Sequence, residues 1–100
     1  MKDLQATILK AMGDETRLEI LELLRKGKMC VCEIVPRIDA SQSNISQHLR
    51  ILKDAGIIEL EKQGRSNYYY VTNEKVFAIL DLVKKVILEN LQMQMAKLAT

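Results

Sequence analysis

The stretch Ser41-Gln42-Ser43-Asn44-Ile45-Ser46-Gln47-His48-Leu49-Arg50-Ile51-Leu52, followed closely by Ile57-Ile58-Glu59-Leu60-Glu61-Lys62-Gln63-Gly64-Arg65-Ser66-Asn67-Tyr68-Tyr69-Tyr70-Val71, decides the fold. Ser41 is a favourable N-cap, because its hydroxyl can accept a hydrogen bond from a free N–H of the first turn. Ile45, Leu49 and Leu52 recur at i, i+4 and i+7, which places them on one helical face. This helix is expected over about 41–55, closed by Gly56. The period then changes. Ile58, Leu60 and Lys62 alternate with Ile57, Glu59 and Glu61, the chain turns at Gln63-Gly64-Arg65-Ser66, and Tyr68-Tyr69-Tyr70-Val71 returns. That pattern is a β-hairpin over about 57–71 with a basic tip.

Working outward, Leu18, Ile20, Leu21, Leu23 and Leu24 form a broad apolar face on an earlier helix. Asp14 suits its N-cap, Glu15 sits well against its dipole, and Gly27 fits the C′ position. Leu4, Ile8 and Leu9 mark a short amphipathic helix that stops near Met12-Gly13. A third short helix ends near Ile38. Pro36 is tolerated only near a first turn, so this helix should start close to Cys32 or Glu33 or be kinked. Downstream, Asn73 caps a long last helix on which Val76, Leu80, Val83, Ile87, Leu91, Met95 and Leu98 are spaced by three and four.

Two helices joined by a short turn and followed by a hairpin make a winged helix-turn-helix: mostly α with a β-hairpin wing, one domain over residues 1–100. A seven-position apolar stripe on the last helix has nowhere on a 100-residue monomer to bury all of itself. A homodimer built through the N- and C-terminal helices, about 3–12 and 74–98, is therefore expected, with two reading helices set against a palindromic site.

Composition narrows the function. Fifteen basic against thirteen acidic side chains give a net charge of only +2, with no basic tail, so contact with DNA must come from placement and not bulk charge. No apolar run approaches a membrane span and the N-terminus lacks a signal-peptide core, which points to a cytoplasmic protein with no membrane partner. Thiols stay reduced there, so the two cysteines, Cys30 and Cys32, suggest metal or redox chemistry more than a structural disulfide. No nucleophile–base pair, phosphate-cradling glycine loop or carboxylate cluster suggests an enzyme.

The side chains left off the core face of the 41–55 helix are Gln42, Ser43, Asn44, Ser46, Gln47, His48 and Arg50. Gln and Asn can bond bidentately to adenine, Ser to several base edges, and Arg to guanine or phosphate. The N-terminal residues of such a helix usually reach the bases, favouring Gln42, Ser43, Ser46 and Gln47. Lys62 and Arg65 on the hairpin suit phosphate or a minor groove. A merely solvated face is more often built from Lys and Glu. His48 has no carboxylate or thiol at helical spacing, so a role as metal ligand is not expected. The rival reading is a protein-interaction module in which this polar face is idle.

Four segments in this order resemble the ArsR/SmtB metalloregulatory repressors over essentially the whole chain: Lys10-Ala11-Met12-Gly13-Asp14-Glu15-Thr16-Arg17-Leu18-Glu19-Ile20-Leu21, Cys30-Val31-Cys32-Glu33, Ser41 to Leu49, and Gly64-Arg65 with Tyr68-Tyr69-Tyr70. The resemblance implies a cytoplasmic homodimer that represses its own operon and leaves operator DNA when an inducer binds. It also implies that Cys30 and Cys32 supply thiolates for As(III), Sb(III), Cd or Pb, with no obligatory cofactor. Soft thiolates do favour such ions, and a helix N-terminus raises the thiolate fraction. The chain departs from the family's patterns in three places. Val35 stands where the arsenic-responsive pattern has a third cysteine, residues 1–29 contain no cysteine, and residues 76–100 offer only Asp81 and Glu89 toward a zinc-type site. Three readings stay open: a two-thiolate arsenic or antimony site completed by an oxygen ligand, sensing of oxidants or sulfur species by the same pair, or a pair with no sensing role. A disulfide within Cys-x-Cys is expected to be strained, so oxidation should link subunits or stop at sulfenic acid.

Overall fold

Residues 1–99 are described by a computed structural model. Helix α1 spans Lys2–Met12 and α2 spans Glu15–Leu24. Strand β1 (Met29–Cys30) leads into the single turn α3 (Val31–Ile34) and a 3-10 segment, Val35–Arg37. Helix α4 covers Gln42–Asp54, strands β2 (Ile58–Gln63) and β3 (Ser66–Val71) form the wing, and α5 runs Lys75–Ala99.

The caps are the ones the sequence suggests. The Asp14 carboxylate accepts from the Arg17 N–H at 3.1 Å, Ser41 Oγ from the Asn44 N–H at 3.1 Å, and Asn73 Oδ1 from the Lys75 N–H at 2.9 Å. The Arg17 amide also holds the Asp14 carboxyl below its usual range, because that bond favours the charged form. In the hairpin, Gln63 pairs with Ser66 and leaves Gly64-Arg65 as a two-residue loop. Gly64 has φ +61° and among the described residues no non-glycine residue is left-handed, the pattern of a II′ turn, which matches the twist of the flanking strands.

The core lies between α2, α4 and the base of the sheet. Ile20, Leu21, Ile34, Ile45, Leu49, Leu52, Ile57 and Ile58 are fully buried, with Ala11 and Met12 from α1 and Val76 and Leu80 from α5 closing its edges. The expected i, i+4, i+7 face of α4 is therefore its buried face. Arg25 ties α2 to α5: its guanidinium meets Glu22 and Asp81, each at 3.0 Å, and lies 4.9 Å over the Phe77 ring. Glu22 is held below the usual carboxylate range chiefly by that hydrogen bond from Arg25.

Two details of the fold refine the sequence reading. The expected hairpin of β2 and β3 is present, and β1 adds to it in the order β1-β3-β2, pairing Met29 with Tyr69 and Cys30 with Tyr68. Two residues are too few to show a period of two. The third helix starts at Val31, next to Cys32 as expected, because Cys30 is extended and serves as its N-cap, donating its N–H to Glu33 Oε1 at 3.2 Å. Pro36 is then accommodated in the 3-10 segment, beyond the end of α3.

Helix α5 buries only Val76 and Leu80. From Val83 onward its stripe is open, with Ile87 52%, Met95 69% and Leu98 87% exposed, and Leu4 and Leu9 of α1 are exposed as well. An apolar groove lined by Leu9, Met12, Leu18, Ile79, Val83 and Ile87 runs between α1, α2 and α5. Among the described residues no helix is long and apolar enough to cross a membrane.

Candidate nucleic-acid interface and thiol site

Helix α4 is amphipathic in a strict sense. With Ile45, Leu49 and Leu52 buried, Gln42, Ser43, Asn44, Ser46, Gln47 and Arg50 all face outward. None of these six side chains spends its polar group on a hydrogen bond or ion pair with another described residue. Lys62 on β2 and Arg65 at the loop tip are likewise exposed and unpaired. The result is a row of donors and acceptors on one helix, with two further cations on the strand pair whose β2 contacts that helix. A major groove about 12 Å wide admits such a helix.

His48 does not belong to that outward row. Its side chain is only 15% exposed, and its Nδ1 lies 3.0 Å from Arg17 Nη1 and 3.9 Å from Asp14 Oδ1. Arginine can only donate, so Nδ1 accepts and the ring proton sits on Nε2. The imidazole named among the candidate DNA-contacting side chains leans on α2 through its Nδ1, on a partner 31 residues away in sequence. Sequence reasoning missed Arg17, whose guanidinium also donates to the carbonyl of Ala11 and, at 3.3 Å, to that of Lys10. Its only sequence signal was its place in the Asp14-Glu15-Thr16-Arg17 segment, which shows no partner on α4.

The cysteines sit where β1 becomes α3. Cys30 is 3% exposed and packed into the core, whereas Cys32 is exposed. Their sulfurs are joined as a disulfide across a Cα–Cα separation of 5.2 Å, inside the usual range. The expectation that oxidation would avoid an intrachain bond is corrected: an extended Cys30 followed by the first turn of α3 brings both side chains together. Val35 occupies the position of the missing third thiol and is half-buried against the core. Among the described residues no three His, Cys, Asp or Glu side chains stand close enough to hold a metal ion. Two converging thiols, once reduced, fit a two-thiolate chelate of a soft ion and no fuller site within the chain. Ile34, on the same short helix as Cys32, packs in the cluster that holds Ile45 and Leu49, so the thiol turn and α4 share one core.

Comparison with known proteins agrees with this architecture. The profile of the "Bacterial regulatory protein, arsR family" matches residues 14–59, from the cap of α2 into β2. The "Uncharacterized HTH-type transcriptional regulator MJ1325" of Methanocaldococcus jannaschii is 48% identical over 82 residues, 81% of this chain and 92% of that protein. The "Arsenical resistance operon repressor" of Bacillus subtilis is 43% identical over 72 residues, 71% of this chain and 69% of that protein. Among solved structures, the homodimeric winged helix-turn-helix DNA-binding domain Mb0332 from Mycobacterium bovis, a possible ArsR-family regulator, superposes with a TM-score of 0.81 at 32% identity, covering 91% of this chain and 84% of that one. Fold, sequence and site converge: the chain belongs to the arsR family of bacterial regulatory proteins and is a DNA-binding winged-helix transcriptional regulator, not an enzyme.

Proposed function

We propose that the chain is a homodimeric repressor that reads operator DNA with α4, anchors it with Lys62 and Arg65, and lets go when reduced Cys30 and Cys32 chelate a thiophilic ion, As(III) or Sb(III) ahead of Cd or Pb. The observation that carries this reading is the convergence of the two sulfurs on a turn whose Ile34 packs with the buried face of α4. Chelation would tie the exposed Cys32 thiolate to the buried Cys30 through the ion and so fix the turn that carries α3. The shared core passes that constraint to α4. A third ligand from solvent completes the ion's shell. The Bacillus subtilis relative, named for arsenical resistance, supports the choice of metalloid.

A second copy of the chain supplies the cover that the open stripe of α5 and the exposed Leu4 and Leu9 of α1 need. The homodimeric Mycobacterium bovis neighbour supports this assembly. Two α4 helices then face successive turns of one DNA groove. The cytoplasm keeps such thiols reduced and ready to bind.

The disulfide itself favours a second reading, in which the inducing signal is oxidative. Cys30 and Cys32 would surrender two electrons and two protons to a peroxide or a disulfide oxidant and close the S–S bond. Reductant would reverse it. Arsenite added to reduced protein and a disulfide oxidant added without metal separate the two readings, because each predicts DNA release by only one of them.

The reading of α4 is tested at Gln47. If it pairs with an adenine edge, Gln47→Ala costs about 1–3 kcal/mol of operator binding at that base pair and relaxes discrimination there. Binding curves on operator variants, one base changed at a time, measure this. Unchanged preference at every position would remove Gln47 from the base-reading set.

A further inference from the structure

We propose that Arg17 is a positioning residue for DNA reading: a clamp that sets the roll of α4 through His48 and ties it to the end of α1. The proposal rests on the reading of α4 as the DNA-contacting helix. The last carbonyls of a helix have no partner within it. Arg17 donates to two carbonyls at the end of α1, that of Ala11 and that of Lys10, which also accepts from the Gly13 N–H, and turns its remaining donor edge to His48 Nδ1 at 3.0 Å. A guanidinium is planar and its donors point in fixed directions, so a group bonded on both edges is held in orientation as well as in place. Arg17 itself springs from the first turn of α2, where its N–H caps onto Asp14. One side chain thus joins three helices.

What it holds on α4 matters because His48 follows Gln47 directly and precedes Arg50 by two residues. A helix whose inward side is apolar can roll over a few degrees at small cost. A directional hydrogen bond from a charged donor resists that roll. Release of the imidazole would leave the core contacts of Ile45 and Leu49 in place, while Ser46 and Gln47 lose their fixed aim at base edges.

The clamp needs an acceptor at this position: Arg17 donates to the lone pair on His48 Nδ1. Asp14, whose Oδ1 lies 3.9 Å from the same nitrogen, is the carboxylate that α2 presents beside it.

The test compares the wild type, Arg17→Gln, His48→Phe and His48→Asn on the chain's own upstream DNA and on random DNA, with thermal melts of each. Phenylalanine keeps a ring and removes the acceptor, whereas asparagine places an acceptor where Nδ1 stood. Arg17→Gln and His48→Phe should each bind the operator about tenfold more weakly, the loss expected when a hydrogen bond to a charged group is broken, and bind random DNA as before. His48→Asn should recover most of the operator affinity that His48→Phe loses. A folded Arg17→Gln with wild-type operator preference, or a folded His48→Phe with wild-type operator affinity, overturns the clamp. If Arg17→Gln fails to fold, the two His48 variants decide alone. A wild type that binds no DNA overturns the DNA-reading assignment of α4 and the clamp with it.

Discussion

Leu49→Ala is expected to remove about 2–5 kcal/mol of folding stability, the cost of deleting a fully buried leucine and leaving part of its volume empty. Leu49 is 0% exposed and sits among Ile45, Leu52, Ile34 and the leucines of α2, so its cavity opens in the middle of the only large core cluster among the described residues. A domain of this size has about 5–15 kcal/mol in total, so the variant approaches the unfolding threshold. Arg50→Ala, one residue along and exposed, should shift stability by no more than about 0.5 kcal/mol. Urea titrations of both variants at one fixed protein concentration make the comparison, since an associating chain gains stability with concentration. Equal loss in the two would mean that α4 is not seated by its Ile45, Leu49 and Leu52 face.

Operator affinity should fall by about 10³–10⁵ between 50 and 200 mM salt if the assembled protein neutralises roughly six to ten phosphates. The chain's net charge of +2 makes this a demanding expectation, because bulk attraction supplies little of it. The contribution has to come from Lys62, Arg65, Arg50 and the N–H groups at the start of α4. Each phosphate contact adds about 0.9 to the slope of log affinity against log salt. Arg65→Gln, present twice in a dimer, should therefore lower that slope by about two. A protein-interaction module would show no such slope, and neither would its Arg65 variant.

Much of this architecture can be read from residues alone, for a definable reason. The boundaries of α2, α4 and α5 are announced by Asp14, Ser41 and Asn73, whose side chains each cap a local N–H, and the wing by a change of period and Gly64. These are interactions over two or three residues, which sequence records directly. Strand β1 exists only because Met29 and Cys30 meet Tyr69 and Tyr68, about forty residues away, and nothing in two residues reveals that. The same holds for the site. The outward face of α4 follows from helical spacing, so Gln42, Ser43, Ser46, Gln47 and Arg50 lie where periodicity puts them. His48 departs because Arg17 draws it in, a contact set by the packing angle of α2 on α4. The disulfide depends on the backbone direction at one junction, extended at Cys30 and helical from Val31, and no pattern of residue types states that direction.

The most direct test of the thiol switch is fluorescence anisotropy of the reduced protein on its own upstream DNA while arsenite is added. The account predicts tight binding at low salt, release as arsenite rises, and no release when Cys30 and Cys32 are both changed to Ser. Tight binding that ignores arsenite, or release that survives the loss of both thiols, would contradict it.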